Sequence, residues 1–594
     1  MTSGPRPARP QVGSVVGVTC LSLFVLVVVL LVGLAYDLVR LRGQVAHIRT
    51  DASSAEQTLM AVPVDRARVE QQVRRLQDDT AALRARTHSP AWRIGSAVPV
   101  LGGSLRAGTS VALVADDVSR RALPLLADLV VDLRTFTRTG PLDVSPVSRR
   151  RAELEDVDAR LMVDEQTLGR QDLSDPSVRK AFVLVNDRLH QLQGALSALI
   201  TVARVGPAMT GELGDRRYLV VLQTPAESRA TGGLVGGYLE LRVRRGAVTI
   251  LRSGTNHDLR AGRQKVRVDA GFARLWGRVG AQQQWFASNL SVDFPSVARV
   301  WTGLYQQQFG VHLDGALAIT PESVGRLLRV TGPLRLPGGD ELSSDNIAGA
   351  LEVSLYKRFP KEADETARNA YQLAVLHELS TAVLRPLPGG RSYADALRGG
   401  GAGSILLASS HEDEQAQLQR APIAHALPID GHPFVAWSTQ NAAGTKLDVY
   451  VHRELSYQVQ TRGGRQLVRA GVTLRNDAPA TGLPSYVTTR FDLPVGPRRA
   501  SAKAGTDKLA VATYLSQGAR IISVTLDGTS VAFGQGVERG HPVVTLPVLL
   551  QPAGGTATVV VTAEQPRLTG PLETLDQPVP NPDLRDAALV NLSS

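Results

Sequence analysis

The run Gln223-Thr-Pro-Ala-Glu227-Ser-Arg229-Ala-Thr231-Gly232-Gly233-Leu-Val-Gly236-Gly237-Tyr238 brings together residue types that can hold a phosphate. Backbone N–H groups in a glycine-rich loop can cradle an anion, and an arginine such as Arg229 can add a bidentate contact. Thr231, Gly232, Gly233, Gly236 and Gly237 are therefore candidate ligand-binding positions. A structural reading accounts for the same residues: a tight turn followed by a strand that lies close beneath another element. The run is no P-loop, because no Gly-Lys-Ser/Thr follows, and it holds no G-x-G-x-x-G dinucleotide fingerprint.

Two further places could carry chemistry. Asp293, in Asn289-Leu-Ser-Val-Asp293-Phe294-Pro295, has the oxygen ligands that suit a divalent cation, or it caps the helix that Pro295 opens. Tyr356-Lys357-Arg358-Phe-Pro-Lys361, with Asp364 and Arg368-Asn369 behind it, sets three basic residues beside a turn, an arrangement that suits a pyrophosphate or a solvated face. No Ser-His-Asp set and no H-x-x-x-H pair stands out. His257, His312, His411 and His432 are scattered and read as surface or capped histidines.

These residues must be positioned by an α/β domain spanning about 211–425. Short apolar runs at Tyr218–Leu222, Tyr238–Val243, Ala247–Leu251 and Leu317–Ile319 predict strands. Pro321 opens a helix over Glu322–Val330, and Thr366–Leu384 forms a longer one. Upstream, residues 89–210 alternate helical patterns with Gly/Pro breaks and predict a helical platform, with long helices over Val111–Phe136 and Val178–Val205. Residues 36–88 carry apolar positions at spacings of three and four, interrupted once at Pro63. They form a stalk that either joins a homodimer or packs on the same chain. From Lys446 the pattern turns to short strands: Lys446–Val451, Leu455–Gln460, Gln466–Arg475, Lys508–Tyr514, Ile521–Leu526, Val543–Val548 and Ala557–Ala563. They predict a β-sandwich over 430–570. The Pro-, Asp- and Asn-rich residues 571–594 read as a flexible tail.

The chain has 594 residues, 43% of them hydrophobic, which is enough to bury large cores. The single cysteine, Cys20, excludes an internal disulfide and a cysteine-built zinc site. A net charge of +11 admits an anionic partner or simply a soluble surface. The arginines are dispersed without aromatic interleaving, so no nucleic acid is expected. Val12–Ala35 holds no charge and is long enough for a transmembrane helix, with residues 1–11 as a cytoplasmic tail. The fold class expected is α+β multidomain: an N-terminal transmembrane helix, a helical stalk and platform, a central α/β domain and a C-terminal β-sandwich.

Three stretches resemble a bacterial family known only as domain of unknown function 4012. They are Arg217–Tyr238; Asp293-Phe294-Pro295 with Asp314-Gly315, Ile319-Thr320-Pro321 and Thr331-Gly332-Pro333; and Asn441-Ala-Ala-Gly444-Thr-Lys446-Leu-Asp448-Val-Tyr450 with Asn476-Asp-Ala-Pro479 and Gly482-Leu-Pro484-Ser-Tyr486. The resemblance covers roughly residues 90–565. A more distant likeness is to the LytR-CpsA-Psr proteins, membrane-anchored phosphotransferases that move glycopolymers from a polyprenyl-pyrophosphate carrier to cell wall. That likeness implies a single-pass membrane protein with its C-terminal part outside the cytoplasm. It also implies Arg229, Arg358 and Arg368 as pyrophosphate ligands, with Asp293 or Asp364 on Mg²⁺. The chain departs from that pattern with Arg229-Ala-Thr231-Gly232 at the first turn and Ser253-Gly254-Thr255-Asn256 after the third strand. Two functions follow. One is an envelope protein that binds or organises a surface glycopolymer, a lipid-linked intermediate or a protein partner. The alternative is a Mg²⁺-dependent phosphotransferase or pyrophosphatase acting on a lipid-linked glycan.

Overall fold

The computed structural model describes residues 66–98, 102–136, 142–169, 176–385, 405–429, 431–570 and 572–586. They fall into two compact units. One holds the described residues up to Gly214 with Arg245–Ala247, and the other holds Asp215–Arg244, Val248–Arg385 and the described residues from 405 onward.

The first unit is helical. Helices α1 (Arg66–Thr87), α2 (Pro90–Ser96), α3 (Gly102–Phe136), α4 (Arg151–Gly169) and α5 (Pro176–Met209) form it. The seam Val73, Leu76, Thr80 and Leu83 of α1 is buried and is covered by α3 of the same chain. There the Thr80 and Ser119 hydroxyls lie 2.7 Å apart and Arg84 donates to Asp116 at 2.7 Å. This half of the expected stalk is thus a helix pair within one chain; residues 36–65 lie outside the described residues. In α5, Leu189, Leu192 and Leu196 supply the buried face that their spacing implies.

The second unit contains three larger sheets. The central one has five strands, β1 (Arg216–Arg229), β2 (Gly232–Arg244), β3 (Ala247–Thr255), β4 (Gly315–Ile319) and β7 (Ile405–Ser409), in the order β3-β2-β1-β4-β7. Strand β1 runs parallel to β4 and antiparallel to β2. A small ribbon, β5 (Leu334–Arg335) with β6 (Glu341–Leu342), lies apart from it. One face of the central sheet packs on α8 (Pro321–Thr331) and α9 (Glu365–Leu384) through Val220, Leu222, Val324, Leu328, Val375 and Leu376. Local rules start α8 well: Thr320 and Ser323 cap each other and Pro321 takes the first turn.

The other face of that sheet packs on α6 (Ala270–Trp276) and α7 (Phe294–Phe309). Val297, Val300, Trp301, Leu304 and Tyr305 of α7 recur at helical spacing and are fully buried. The same core continues through Phe434, Ala436, Ala512, Tyr514 and Val543 of the sandwich. The α/β part and the sandwich therefore share one apolar interior.

The sandwich has a six-stranded sheet, β13-β12-β16-β10-β9-β18, and a five-stranded sheet, β14-β15-β11-β8-β17. In chain order the strands are β8 (Phe434–Asn441), β9 (Val451–Arg462), β10 (Arg465–Asn476), β11 (Asp507–Leu515), β12 (Arg520–Leu526), β13 (Thr529–Ser530), β14 (Gly534–Glu538), β15 (His541–Leu550), β16 (Gly555–Pro566), β17 (Glu573–Asp576) and β18 (Leu584–Arg585).

Three expectations are corrected. The α+β multidomain class with several sheets stands, but among the described residues no helix is long and apolar enough to cross a membrane. The transmembrane element of the expected fold class thus has no support in the structure; Val12–Ala35 itself lies outside the described residues. Residues 572–586 are no loose tail, because β17 pairs with β8 and β18 pairs with β9. The expected strand Lys446–Val451 is one only at Val451, where β9 begins: a 3-10 turn at Asp448–Tyr450 precedes it, and Asp448 is buried.

Candidate functional site

The first motif forms a hairpin, and its glycines pack on protein. Arg229 pairs with Gly232 across a two-residue turn, Ala230-Thr231, and Gly232 has a φ of 136° that other residues rarely adopt. A Cβ on Gly233 would collide with the Thr224 carbonyl, and one on Gly237 would lie 2.5 Å from Leu376 Cδ1 of α9. One on Gly236 would lie 2.7 Å from the Thr224 hydroxyl. Thr231 is fully buried and donates to Gln223 Oε1 at 3.0 Å, and Asn289 Nδ2 donates to the same oxygen at 2.7 Å. The loop that could have cradled a phosphate instead closes on its own side chains.

A bulge between Thr224 and Ser228 takes β1 out of register with β2 and turns its end toward the sandwich. There Glu227 accepts from Arg229 Nη2 at 2.9 Å and from Lys446 Nζ. Burial alone would raise the Glu227 carboxyl, but Lys446 and then Arg229 hold it below the usual range. Arg229 also donates to three main-chain carbonyls: Phe286 at 3.0 Å, Ser228 at 2.8 Å and Asn441 at 3.2 Å. The residue is 6% exposed.

Beside this pair lies a second buried cluster. Asp448 accepts from the Ser228 backbone N–H at 2.7 Å and from Asn441 Nδ2 at 2.7 Å. Asp507 Oδ1 accepts from the Thr445 hydroxyl at 2.7 Å and from its neighbour Lys508 N–H at 2.9 Å, while its Oδ2 has no donor. Burial raises both carboxyls; contact with Asp507 pushes Asp448 further, well above the usual range, while contact with Asp448 pulls Asp507 the other way. The donorless Oδ2 is the oxygen that can carry the shared proton.

Arg368 occupies a third position in the same region. It is 4% exposed, donates to the carbonyls of Phe359 at 2.8 Å and Lys361 at 2.6 Å, and lies 3.8 Å over the Tyr486 ring. Lys446 approaches that ring at 5.5 Å, and Tyr356 stacks against it at 6.0 Å. Arg229 and Arg368 thus belong to one buried joint, linked through Glu227, Lys446 and Tyr486. Arg358 does not join them. It pairs at the surface with Asp340, and its side chain is 50% exposed.

The two acids named as metal ligands sit apart and both cap turns. Asp293 accepts from the Ser296 N–H at 3.2 Å and hydroxyl at 2.6 Å, and from the Leu427 N–H at 2.9 Å. Asp364 accepts from the Lys361 N–H at 2.9 Å. Among the described residues no group of three or more His, Cys, Asp and Glu gathers to hold a metal ion. The residues present therefore do not assemble a Mg²⁺ site around the expected arginines.

Sequence reasoning missed Glu227 as the partner of Arg229, and Lys446, Asp448 and Asp507 as the buried groups around that pair, although all but Asp507 lie in the stretches that carry the resemblance. Those stretches are joined in space: the first supplies Glu227 and Arg229, the third Asn441, Lys446 and Asp448. It also missed Glu352, which burial and the nearby Glu322 raise well above the usual carboxyl range and whose Oε1 lacks a partner. Glu352 lies on a π-turn (Ala350–Ser354), and no spacing rule announces that turn.

No curated protein and no solved structure matches the chain significantly. A family match does exist, narrower than the resemblance expected from the sequence and carrying no link to the LytR-CpsA-Psr proteins. It places the bulged hairpin, α7 and α8 together: residues 213–356 match the family described as protein of unknown function (DUF4012).

Proposed function

We propose that this chain is a non-catalytic binding or organising module, with the α/β part and the sandwich acting as one rigid body. The observation that carries this reading is the state of Arg229 and Arg368. A pyrophosphate-binding arginine must keep N–H groups free for phosphate oxygens. Here both guanidinium groups are buried and donate to Glu227, to main-chain carbonyls or onto a ring. Their role on this reading is to weld the sandwich to the central sheet.

The occupants retained from the sequence are a glycopolymer, a lipid-linked intermediate or a protein partner. A place outside the cytoplasm belongs to the same proposal and rests on the resemblance alone. A reporter enzyme fused after Ser594 and active only in the cytoplasm would remove it. The distant likeness to LytR-CpsA-Psr transferases offers the rival reading, and it needs Arg229, Arg358 and Arg368 to converge. The test is phosphate release from farnesyl pyrophosphate with Mg²⁺ by the full chain. We expect no release above buffer. Release that falls in Arg358→Ala, a surface variant that keeps the fold, would establish the transferase reading instead.

A further inference from the structure

A cavity of about 600 Å³ lies away from the joint, in the size range of small-molecule sites. It is walled by α7, by α10 (Glu412–Leu418) with the end of β7, by the segment before α6 and by the β14–β15 turn. Its charge is one-sided: Arg267, Arg299 and Arg539 line it against a single carboxylate, Glu412, with His312 beside them.

These arginines are not spent on the fold. Arg267 and Arg299 make no ion pair among the described residues, and Arg539 comes no nearer than 3.9 Å to Asp293. Other acids close by are already matched. Asp314 and Glu414 pair with Arg216 at 3.0 and 2.8 Å, and Asp293 is held by Ser296 and Leu427. Arg539 is also fixed in direction. With Gly540 it forms the two-residue turn between β14 and β15, at φ values of 48° and 87°.

A concave wall on which cations predominate concentrates counter-ions. Val266, Pro295, Ala298 and Leu313 give the same cavity an apolar part.

We propose that this cavity binds a phosphomonoester, its phosphate held by Arg267, Arg299 and Arg539 and its organic part on the apolar residues. A phosphate offers several acceptor oxygens, which matches a lining where three arginines outnumber one carboxylate. The proposal rests on the binding-module reading and gives it a ligand class.

The test is calorimetric titration of the full chain with glucose 1-phosphate and with glucose, and co-sedimentation with phosphatidic acid or phosphatidylcholine vesicles. The phosphate chemistry is expected to bind in at least one arm and its neutral counterpart not to bind. The first arm alone indicates a soluble ligand, and the second alone a lipid headgroup. The double variant Arg267→Ala/Arg299→Ala changes two exposed side chains and should keep the wild-type Tm while weakening binding about tenfold or more. Arg358→Ala should bind as wild type. The proposal is overturned by no binding in either arm, by equal binding of glucose and glucose 1-phosphate, or by unchanged affinity in the double variant. Cleavage of glucose 1-phosphate that depends on Arg267 and Arg299 would keep the site and remove the non-catalytic reading.

Discussion

Glu227 sits between two buried cations, and its loss would strand both. Truncating one member of a buried ionic cluster costs about 3–5 kcal/mol, because the partners stay desolvated and unpaired. We expect Glu227→Ala to lose that much stability in urea, whereas Arg358→Ala, with its half-exposed pair to Asp340, should lose no more than about 1 kcal/mol. Equal losses would mean that Glu227 is not the centre of the joint. The neighbouring Asp448–Asp507 pair gives a pH signature of the opposite kind. A carboxyl whose pKa is raised on folding binds its proton more tightly in the folded state. Its contribution is complete below the unfolded value near 4 and falls as pH rises toward the folded value. Glu538 adds to the same trend, since burial and Asp293 push it up to about 7. Asp507→Asn would place an N–H donor where the shared proton sits, and Oδ1 would keep its acceptor role. The Tm of the variant should therefore fall less steeply than wild type between pH 5 and pH 8, with part of the remaining slope due to Glu538 and Glu352. An unchanged slope would place the proton elsewhere.

At the scale of elements, backbone contact separates glycines that look alike in the sequence. Gly233 has the Thr224 carbonyl where a Cβ would go, and the strand can yield only by opening the bulge. Gly237 faces the end of Leu376, which can rotate away. Overpacking of this kind typically costs about 1–3 kcal/mol. We expect Gly233→Ala at or above the top of that range and Gly237→Ala near the bottom, read as urea midpoints; the reverse order would show that the hairpin is looser than its contacts imply. The same elements show what the sequence could disclose. Strands β1, β2, β9, β10 and β16 were legible because apolar residues run or alternate along them, and α8 was legible from Thr320-Pro321. Strand β8 was not, since Phe434–Asn441 is buried at every position yet turns polar at Ser438-Thr-Gln-Asn441. Those side chains face no solvent. Gln440 donates to the Leu290 carbonyl and Asn441 to Asp448, so hydrogen bonds rather than hydropathy hold them inside. Of the candidate site, the residue types of the Arg229 region were visible but their partners were not, because Glu227 meets Lys446 across more than two hundred residues. The cavity drew on four distant segments and left no local pattern at all.

The whole second unit is tied together by the segment that composition marked as loose. Residues 572–586 add a strand to each sandwich sheet, and between those strands Gln577 donates to the carbonyls of Arg229 and Thr439. Asp583 then meets Arg453 through two bonds of 2.7 and 2.6 Å, both side chains being buried. Pro, Asp and Asn lower strand propensity, yet here Asp583 and Asn581 act as ligands of buried groups, which composition alone cannot distinguish from solvation. Because the strap touches both sheets and the end of β1, and because α7 shares its core with β8 and β11, the sandwich and the α/β part should unfold as one. Asp583→Ala leaves Arg453 buried without its carboxylate and should cost about 3–5 kcal/mol. The chain offers internal reporters for the consequence: Trp301 lies in the α/β core and Trp437 in the sandwich core. In variants that keep only one of these two tryptophans in the second unit, both should report the same urea midpoint, and Asp583→Ala should move both midpoints by the same amount. If Trp437 unfolds first and Trp301 does not respond to Asp583→Ala, the two parts are independent and the welding role given to Arg229 and Gln577 fails with them.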